Sequence, residues 1–337
     1  MNYIGSKLKL SQFIKETIKK TVDYNTTDTV FCDLFAGTGT VGRLFKNDVK
    51  KVISNDIEYY AYILNKNYVE NNSSIPNYTE YFDFLNNLEP ISTGFIYNNY
   101  CAGGHGERLY FSDHNGQMLD AIRQQIELWH LNKEITEKTY IFLLASLIES
   151  MDKVANTASV YGAYLKKLKK SAKKDIVISP AFFEITSGKH KAYNSDSNVL
   201  IKKISGDILY LDPPYNTRQY GSNYHLLNTI SKFDKFEPKG KTGLREYNRS
   251  KYCSKRTVLK EFEELIANAK FKYIFLSYNN EGLMSLDQIG DIMSKYGQYN
   301  VISTDYQRFK ADNKRTNKSN KTTEYIHILE KRLASSF

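Results

Sequence analysis

The chain has 337 residues, of which 41% are apolar and 25% charged, as in an ordinary globular protein. Its length suits one large domain or a core domain with an insert. No stretch approaches the roughly 18 apolar residues of a transmembrane helix, and the first residues lack the apolar core of a signal peptide. The three cysteines lie far apart without a Cys-x-x-Cys pair, which argues against a zinc site and a disulfide framework. We expect a reducing, cytoplasmic protein without a bound metal.

The net charge of +10 is unevenly distributed along the chain. Basic residues concentrate in residues 164–174, 239–256 and 308–321. These segments hold 19 basic and two acidic residues, so the remainder of the chain has a net charge of −7. An acidic body with basic segments is typical of a protein that contacts nucleic-acid phosphates. The alternative is that the segments are solvated, Lys-rich surfaces.

The first quarter of the chain has the pattern of a parallel α/β sheet. Apolar residues at helical spacing predict a helix over 8–22, and a buried strand is predicted over 29–35. A glycine turn follows, then a helix over 40–48 and a second strand over 51–56 that ends in Asp56. The succession of strand, glycine turn, helix and strand is how such a sheet begins.

The middle of the chain is predicted to be mostly helical. Helical periodicity covers 115–130 and 135–152, and we also predict a helix with a basic end over 157–174. Strand patterns return at residues 207–211, 273–277, 299–303 and 325–329. The simplest arrangement is one α/β domain built from residues 1–75 and 190–337. A mostly helical insert then spans 76–189.

A glycine motif links the first strand to a cofactor. Gly37, Gly39 and Gly42 form Gly-x-Gly-x-x-Gly, and Asp56 follows at the offset expected of a ribose-binding acid. The glycines permit a tight turn and close approach of the backbone to a ligand. Sites for NAD, FAD and S-adenosylmethionine share this pattern, so the motif alone leaves the cofactor open.

The motif that favours one chemistry is Asp212-Pro213-Pro214-Tyr215, which follows an apolar strand. Asp212 and Pro213 each precede a proline and are therefore pushed into extended conformations. An amino group presented there meets two acceptors, the Asp212 carboxylate and the Pro213 carbonyl. Accepting both N–H bonds localises the nitrogen lone pair, and the carboxylate stabilises the positive charge that develops when the nitrogen attacks an electrophile. The Tyr215 ring offers a face on which a flipped base can stack.

In this order, the motifs resemble those of the bacterial adenine-specific (N6) DNA methyltransferases of the D12 class. The resemblance covers nearly the whole chain and is similar to each half of the FokI-type modification methylase. The matching segments are Tyr3–Lys7, Asp33–Gly39, Asn55–Ile57 and Asp212–Tyr220. The resemblance implies a Rossmann-like α/β sheet that binds S-adenosylmethionine, with a helical target-recognition insert. It also implies methyl transfer to adenine N6 in double-stranded DNA by base flipping.

The resemblance further implies roles for individual residues. Asp33 would meet the methionyl amine of the cofactor and Asp56 its ribose. Asp196 would read the cofactor's adenine, with Asp207 as the competing candidate. The other cofactor-binding residues implied are Tyr3, Lys7, Phe35, Gly37, Gly39 and Ile57.

The catalytic residues are expected to be Asp212, Pro213, Pro214 and Tyr215. DNA contacts are predicted at Arg218, Tyr220, Lys314, Arg315 and Lys318. The last three belong to a basic segment between the last two strands, which we expect to overhang the DNA and bind phosphates. The expected partners are double-stranded DNA and a cognate restriction endonuclease that acts separately.

Other functions explain less of the sequence. An NAD-dependent oxidoreductase accounts for the glycine turn but gives no purpose to Asp-Pro-Pro-Tyr. An RNA methyltransferase acting on a base amino group is the nearer alternative, because the catalytic motif serves any such nitrogen. Methylation of cytosine N4 uses similar geometry, often with Ser in the first position. The large insert favours sequence reading on duplex DNA.

Overall fold

The computed structural model describes residues 7–307 and 321–332, which divide into two compact units. The α/β unit consists of four segments, residues 7–65, Thr186–Gln219, 248–307 and 321–332. The helical unit consists of Lys66–Ile185 and Tyr220–Tyr247. The helical unit therefore includes a segment that follows Asp-Pro-Pro-Tyr in the chain, in addition to most of the insert at 76–189.

The α/β unit is organised around one seven-stranded sheet. The strands are β1 (Val30–Asp33), β2 (Lys51–Asn55), β3 (Lys191–Tyr193), β4 (Ser205–Leu211), β5 (Lys270–Asn279), β6 (Gly297–Gln307) and β7 (Lys321–Lys331). Their order across the sheet is β3-β2-β1-β4-β5-β7-β6. The first five strands are parallel, and β7 is antiparallel to both β5 and β6. The predicted α/β fold is confirmed, and the short edge strand β3 is an element that sequence analysis missed.

Twelve α-helices occur in the described residues. They are α1 (Ser11–Thr21), α2 (Thr40–Phe45), α3 (Tyr59–Asn65), α4 (Tyr78–Asn86), α5 (Phe95–Tyr100), α6 (Asp113–Leu131), α7 (Glu137–Val154), α8 (Ser197–Leu200), α9 (Tyr220–Asn223), α10 (His225–Lys232), α11 (Val258–Asn268) and α12 (Leu286–Ser294). Short 3₁₀ helices span Lys7–Leu10, Lys170–Lys173 and Lys251–Cys253, and a π-helical turn, Lys66–Glu70, follows α3.

Apolar side chains cover both faces of the sheet. On one face, Phe262 and Leu265 of α11 pack into a core that includes Leu209 and Leu211 of β4. These apolar helix positions recur at the three- and four-residue spacing that forms one stripe of a helix. On the other face, Phe31 of β1 stacks on Phe45 of α2 with ring centroids 4.3 Å apart. Burial on both faces explains why the central strands read as continuous apolar runs.

The two longest helices of the helical unit, α6 and α7, each begin at a side-chain cap. α6 starts at a cap in which the Ser112 side chain accepts from the Asn115 amide, and α7 starts at an equivalent Thr136 cap. The fully buried Arg123 of α6 donates to the carbonyl of Ile230 and to the Glu127 carboxylate. These bonds satisfy a guanidinium that would otherwise be expensive to bury.

The predicted helix over 157–174 is wrong. The segment is irregular apart from the 3₁₀ turn Lys170–Lys173. The buried Asn156 side chain binds backbone groups of this segment instead, donating to the carbonyl of Leu165 and accepting from the amide of Lys169. It also donates to the carbonyl of Leu109, outside the segment. Backbone groups held by a side chain are lost to a helical ladder, so the six lysines lie on a structured loop.

Within the described ranges, no helix is both long enough and apolar enough to cross a membrane.

Candidate active site

Acidic residues stand at the carboxyl ends of the four parallel strands β1 to β4. Asp33 is the last residue of β1, Asp56 follows β2, and Asp212 follows β4. Asp196 follows the edge strand β3. The carboxyl ends of parallel strands meet at one edge, and open α/β sheets bind ligands where the strand order reverses, here between β1 and β4. The candidate site therefore lies at this edge of the α/β unit.

The glycine turn after β1 is tied to the acid after β2. Gly37 and Gly39 have φ angles of 51° and 78°, a region that favours glycine. The Gly37 amide donates to Asp56 Oδ2 at 2.8 Å, and the Glu58 amide donates to Asp56 Oδ1 at 2.9 Å. Burial raises the pKa of Asp56 to about 6, although the backbone N–H groups act in the opposite direction.

Asn65, the last residue of α3, supports the same turn and was not predicted as a site residue. Its side-chain amide donates to the carbonyls of Gly37, at 2.9 Å, and Ala61, at 2.8 Å. A Cβ atom at Gly39 would lie 2.9 Å from Asn65 Oδ1, so the side chain also restricts position 39 to glycine. Little in the sequence indicates this role, because a single Asn in an apolar helix belongs to no recognisable motif.

Asp33 is buried with one carboxylate oxygen unused. The Gly42 amide donates to Oδ2 at 3.0 Å, whereas Oδ1 has no hydrogen-bond partner among the described residues. The residue is 1% exposed. Burial first, and then the negative charge of Asp212, raise the pKa of Asp33 to about 8. A buried acceptor without a partner is what a cationic ligand group would satisfy.

Asp212 belongs to a cluster with Lys7, Tyr215 and Glu324, in which Lys7 and Glu324 are buried and the other two partly buried. The Lys7 ammonium lies 3.1 Å from Asp212 Oδ1 and 2.9 Å from Glu324 Oε1. The Tyr215 hydroxyl lies 2.6 Å from the same Asp212 oxygen and 2.9 Å from the same Glu324 oxygen. Lys7 also donates to this hydroxyl. One ammonium and one hydroxyl are thus shared by two carboxylates.

Burial and the neighbouring opposite charges shift the pKa values of Asp212 and Lys7 in opposite directions. Burial raises the pKa of Asp212 above its ordinary value, and the Lys7 ammonium and the Tyr215 hydroxyl oppose that shift. For Lys7, burial alone would lower the pKa, but Asp212 and Glu324 together raise it. The ammonium therefore remains charged although Lys7 is only 5% exposed.

Sequence analysis missed Glu324, which lies 109 residues after Tyr215. Because β7 runs antiparallel to β5, the start of β7 lies at the carboxyl end of β5, where Glu324 is paired with Asn279. A signal was present in the strand pattern. Glu324 is in phase with Ile326 and Ile328, which are buried, so its side chain had to point into the protein.

A family model for D12 class N6 adenine-specific DNA methyltransferases matches residues 3–292. The chain belongs to this family. It is 60% identical to the type II methyltransferase M.NlaIII of Neisseria lactamica, over 98% of this chain and 99% of that protein. It is 39% identical to M.CviAII of Paramecium bursaria Chlorella virus 1, over 92% of this chain and 93% of that protein. With M.FokI of Planomicrobium okeanokoites the identity is 40%, over 99% of this chain but 53% of that protein.

The chain is thus an adenine-specific DNA methyltransferase, as its motifs predicted. Its two candidate acids for the cofactor's adenine lie in different places. Asp196 caps α8 at the carboxyl edge of the sheet by accepting from the amides of Asn198 and Val199. Asp207 lies in β4 and accepts from the amide of Val30 at 2.7 Å, at the opposite edge. Of the two, Asp196 is the one at the edge of the sheet that holds the candidate site.

Phe35 and Ile57 also lie at this edge. The Phe35 ring contacts the Tyr252 ring edge-on at 5.1 Å, and the Ile57 carbonyl accepts from the side chain of Asn194. Asn194 donates to the Asp56 carbonyl as well, so the turn after β3 is bonded to the turn after β2.

The remaining predicted site residues lie partly beside Asp212, partly in the helical unit and partly outside the described residues. Pro213 is buried and Pro214 partly buried directly after Asp212, and Arg218 is exposed further along the same segment. Tyr220 is the first residue of α9 and belongs to the helical unit. Tyr3, Lys314, Arg315 and Lys318 lie outside the described residues. In residues 7–307 and 321–332, no three His, Cys, Asp or Glu side chains are grouped so that they could hold a metal ion.

The raised pKa of Asp33 gives a prediction for the ligand-free protein. Carboxyl-carbon NMR against pH is expected to show Asp33 titrating near pH 8, assigned by its loss in Asp33→Asn. In Asp212→Asn this pKa is expected to fall, because a neighbouring negative charge is removed. The folded protein binds a proton at Asp33 that the unfolded chain releases near pH 4, so stability from this group falls as pH rises from about 4 to about 8. An Asp33 that titrates near pH 4, or is unmoved in Asp212→Asn, would contradict this description of the site.

Proposed function

We propose that this methyltransferase transfers the methyl group of S-adenosylmethionine to the N6 atom of an adenine flipped out of duplex DNA. We propose further that it is the modification enzyme of a type II restriction-modification system, in which a separate endonuclease cuts the unmodified site. The relatives named type II methyltransferases and modification methylases support the second statement. The observation that carries the first is the pairing of Asp212 and Glu324 with one ammonium, at the edge where β1, β2 and β4 end and β7 begins.

The residues at this edge fit S-adenosylmethionine. Asp33 Oδ1 is a buried acceptor without a partner among the described residues, which suits the methionyl ammonium. Asp56 follows β2 at the position where a carboxylate accepts from ribose hydroxyls, and the bond from the Gly37 amide orients it. Asp196 is our candidate for the cofactor's adenine. When bound, the cofactor supplies an electrophilic methyl group on a positively charged sulfur, and an acidic pocket favours such a ligand.

Asp212 and the Pro213 carbonyl are proposed to receive the two N–H bonds of the target amino group. Pro214 has no amide hydrogen, and Pro213 is held extended, so the carbonyl of Pro213 is presented as an acceptor. Drawing on both N–H bonds concentrates the lone pair on the nitrogen. The Asp212 carboxylate then stabilises the positive charge that develops on this atom, which is the largest contribution a preorganised site makes. The Tyr215 ring is proposed to stack on the extruded base.

The two units are proposed to divide catalysis from recognition. The insert at 76–189 is our candidate for reading the target sequence, because the strand ends and the glycine turn that carry the proposed chemistry belong to the α/β unit. Basic residues are proposed to anchor the duplex through its phosphates, which orients the DNA without reading its sequence. The candidates are Arg218, Tyr220, Lys314, Arg315 and Lys318.

Asp212→Ala is expected to abolish methyl transfer while leaving S-adenosylmethionine affinity within a few-fold. The carboxylate acts on the amino group, and losing one preorganised group typically lowers the rate by ~10²–10³-fold. Single-turnover transfer of labelled methyl to duplex DNA measures the rate, and calorimetry measures the affinity. Asp48→Ala is the matched control, since Asp48 pairs with Lys15 at the surface of the same unit. Turnover near that of wild type in Asp212→Ala would refute the proposed mechanism.

Asp56→Ala is expected to weaken S-adenosylmethionine binding by about 1–3 kcal/mol, because the ribose hydroxyls and the Gly37 amide lose their acceptor. Asp56→Asn retains an oxygen that can accept from Gly37 and is expected to lose less. Isothermal calorimetry with S-adenosylmethionine and, separately, with NAD shows which of the two ligands the protein binds. Unchanged affinity in both variants would remove Asp56 from the cofactor site, and binding of NAD alone would overturn the assigned cofactor.

A further inference from the structure

Glu324 is a buried acid that no catalytic motif accounts for. It is 3% exposed in β7, and its Oε1 atom receives bonds from Lys7 at 2.9 Å and from the Ser277 hydroxyl at 3.1 Å. The Tyr215 hydroxyl is the third group within hydrogen-bond distance of this oxygen. Burying a carboxylate in a strand is unfavourable compared with an apolar side chain of similar size. Its position therefore needs a reason other than stability.

The charges of the cluster supply that reason. Lys7 alone beside Asp212 would form a neutral ion pair, and a compensated carboxylate attracts a developing positive charge less strongly. With Glu324 present, two carboxylates share one ammonium, so the formal charge of the group is −1 instead of 0. Because the group is largely removed from solvent, this charge is screened less than it would be at the surface.

The geometry also places Glu324 behind the two groups that contact Asp212. Lys7 and Tyr215 each reach one oxygen of Asp212 and one oxygen of Glu324. Ser277 of β5 holds the Glu324 carboxylate from the neighbouring strand. Movement of Glu324 would therefore move both partners of Asp212.

We infer that Glu324 is a positioning residue for methyl transfer, which holds the Lys7 ammonium and the Tyr215 hydroxyl beside Asp212 and adds a second carboxylate to the cluster that faces the target amino group. This inference rests on the proposed role of Asp212. It assigns to the last strand of the sheet a function in catalysis that the motifs near Asp33, Asp56 and Asp212 do not include.

The test uses Glu324→Gln, which keeps the shape and an accepting oxygen but changes the charge of the cluster from −1 to 0. The turnover number is expected to fall on the order of 10- to 100-fold, whereas KM for the duplex should change little. This fall should not exceed the effect of removing a group that touches the reacting atoms. Glu330→Gln is the matched control, because Glu330 lies in the same strand at a half-exposed position. That control is expected to retain wild-type turnover.

Ligand charge gives a readout that a structural role would not move. S-adenosylmethionine and its product S-adenosylhomocysteine differ by one positive charge at sulfur. Glu324→Gln is expected to lose more affinity for the first than for the second. Equal losses for both ligands, together with a lower melting temperature, would show that Glu324 only supports the fold and would overturn the inference.

A second background tests whether Glu324 acts through Lys7. In Lys7→Met the ammonium that Glu324 holds beside Asp212 is gone, so adding Glu324→Gln is expected to lower turnover several-fold less than it does in the wild-type background. A further loss as large as that in the wild-type background would contradict the positioning role. If wild-type protein transfers methyl groups and Asp212→Ala does not, an unaffected Glu324→Gln overturns this inference alone. An active Asp212→Ala would instead overturn the proposed function beneath it.

Discussion

The arrangement of the candidate site depends on one electrostatic constraint, the removal of several carboxylates from solvent with a single ammonium in contact with two of them. Asp33 and Glu324 are buried and Asp212 is partly buried, and Lys7 is the cation that pairs with Asp212 and Glu324. Water cannot stabilise these charges, so backbone amides, one hydroxyl and the Lys7 ammonium must do it. The backbone amides of Gly37 and Gly42 supply part of that compensation by donating to Asp56 and Asp33. The raised pKa values of Asp33 and Asp56 show that this compensation is incomplete. A cationic ligand bound beside these carboxylates would therefore stabilise their charged forms.

The sheet topology explains how residues distant in the sequence form one site. Strands β1, β2 and β4 are parallel neighbours, so their carboxyl ends present Asp33, Asp56 and Asp212 at one edge. β7 enters the sheet in the opposite direction, which brings its first residues, including Glu324, to the same edge. β6 is antiparallel to β7 and therefore runs in the direction of β5, so its end at Gln307 also lies there.

Sequence reasoning succeeded where the information is local. A glycine turn after an apolar strand, and Asp-Pro-Pro-Tyr after another, each specify a backbone shape and a chemistry within a few residues. It failed where distant contacts decide. Glu324 acts through strand register, Asn65 through a helix packed on the glycine turn, and the loop after α7 through the bonds of Asn156. Periodicity alone could not distinguish a lysine-rich loop from an amphipathic helix, because the same side chains suit either.

The most direct measurement of the central claim is sequencing with modified-base detection. DNA would be taken from a host without methylation that expresses either the wild-type chain or Asp212→Ala. The account predicts N6-methyladenine within one short sequence in the first DNA and none in the second. Methylation of cytosine, no modified base with the wild-type chain, or the same mark with Asp212→Ala would contradict it.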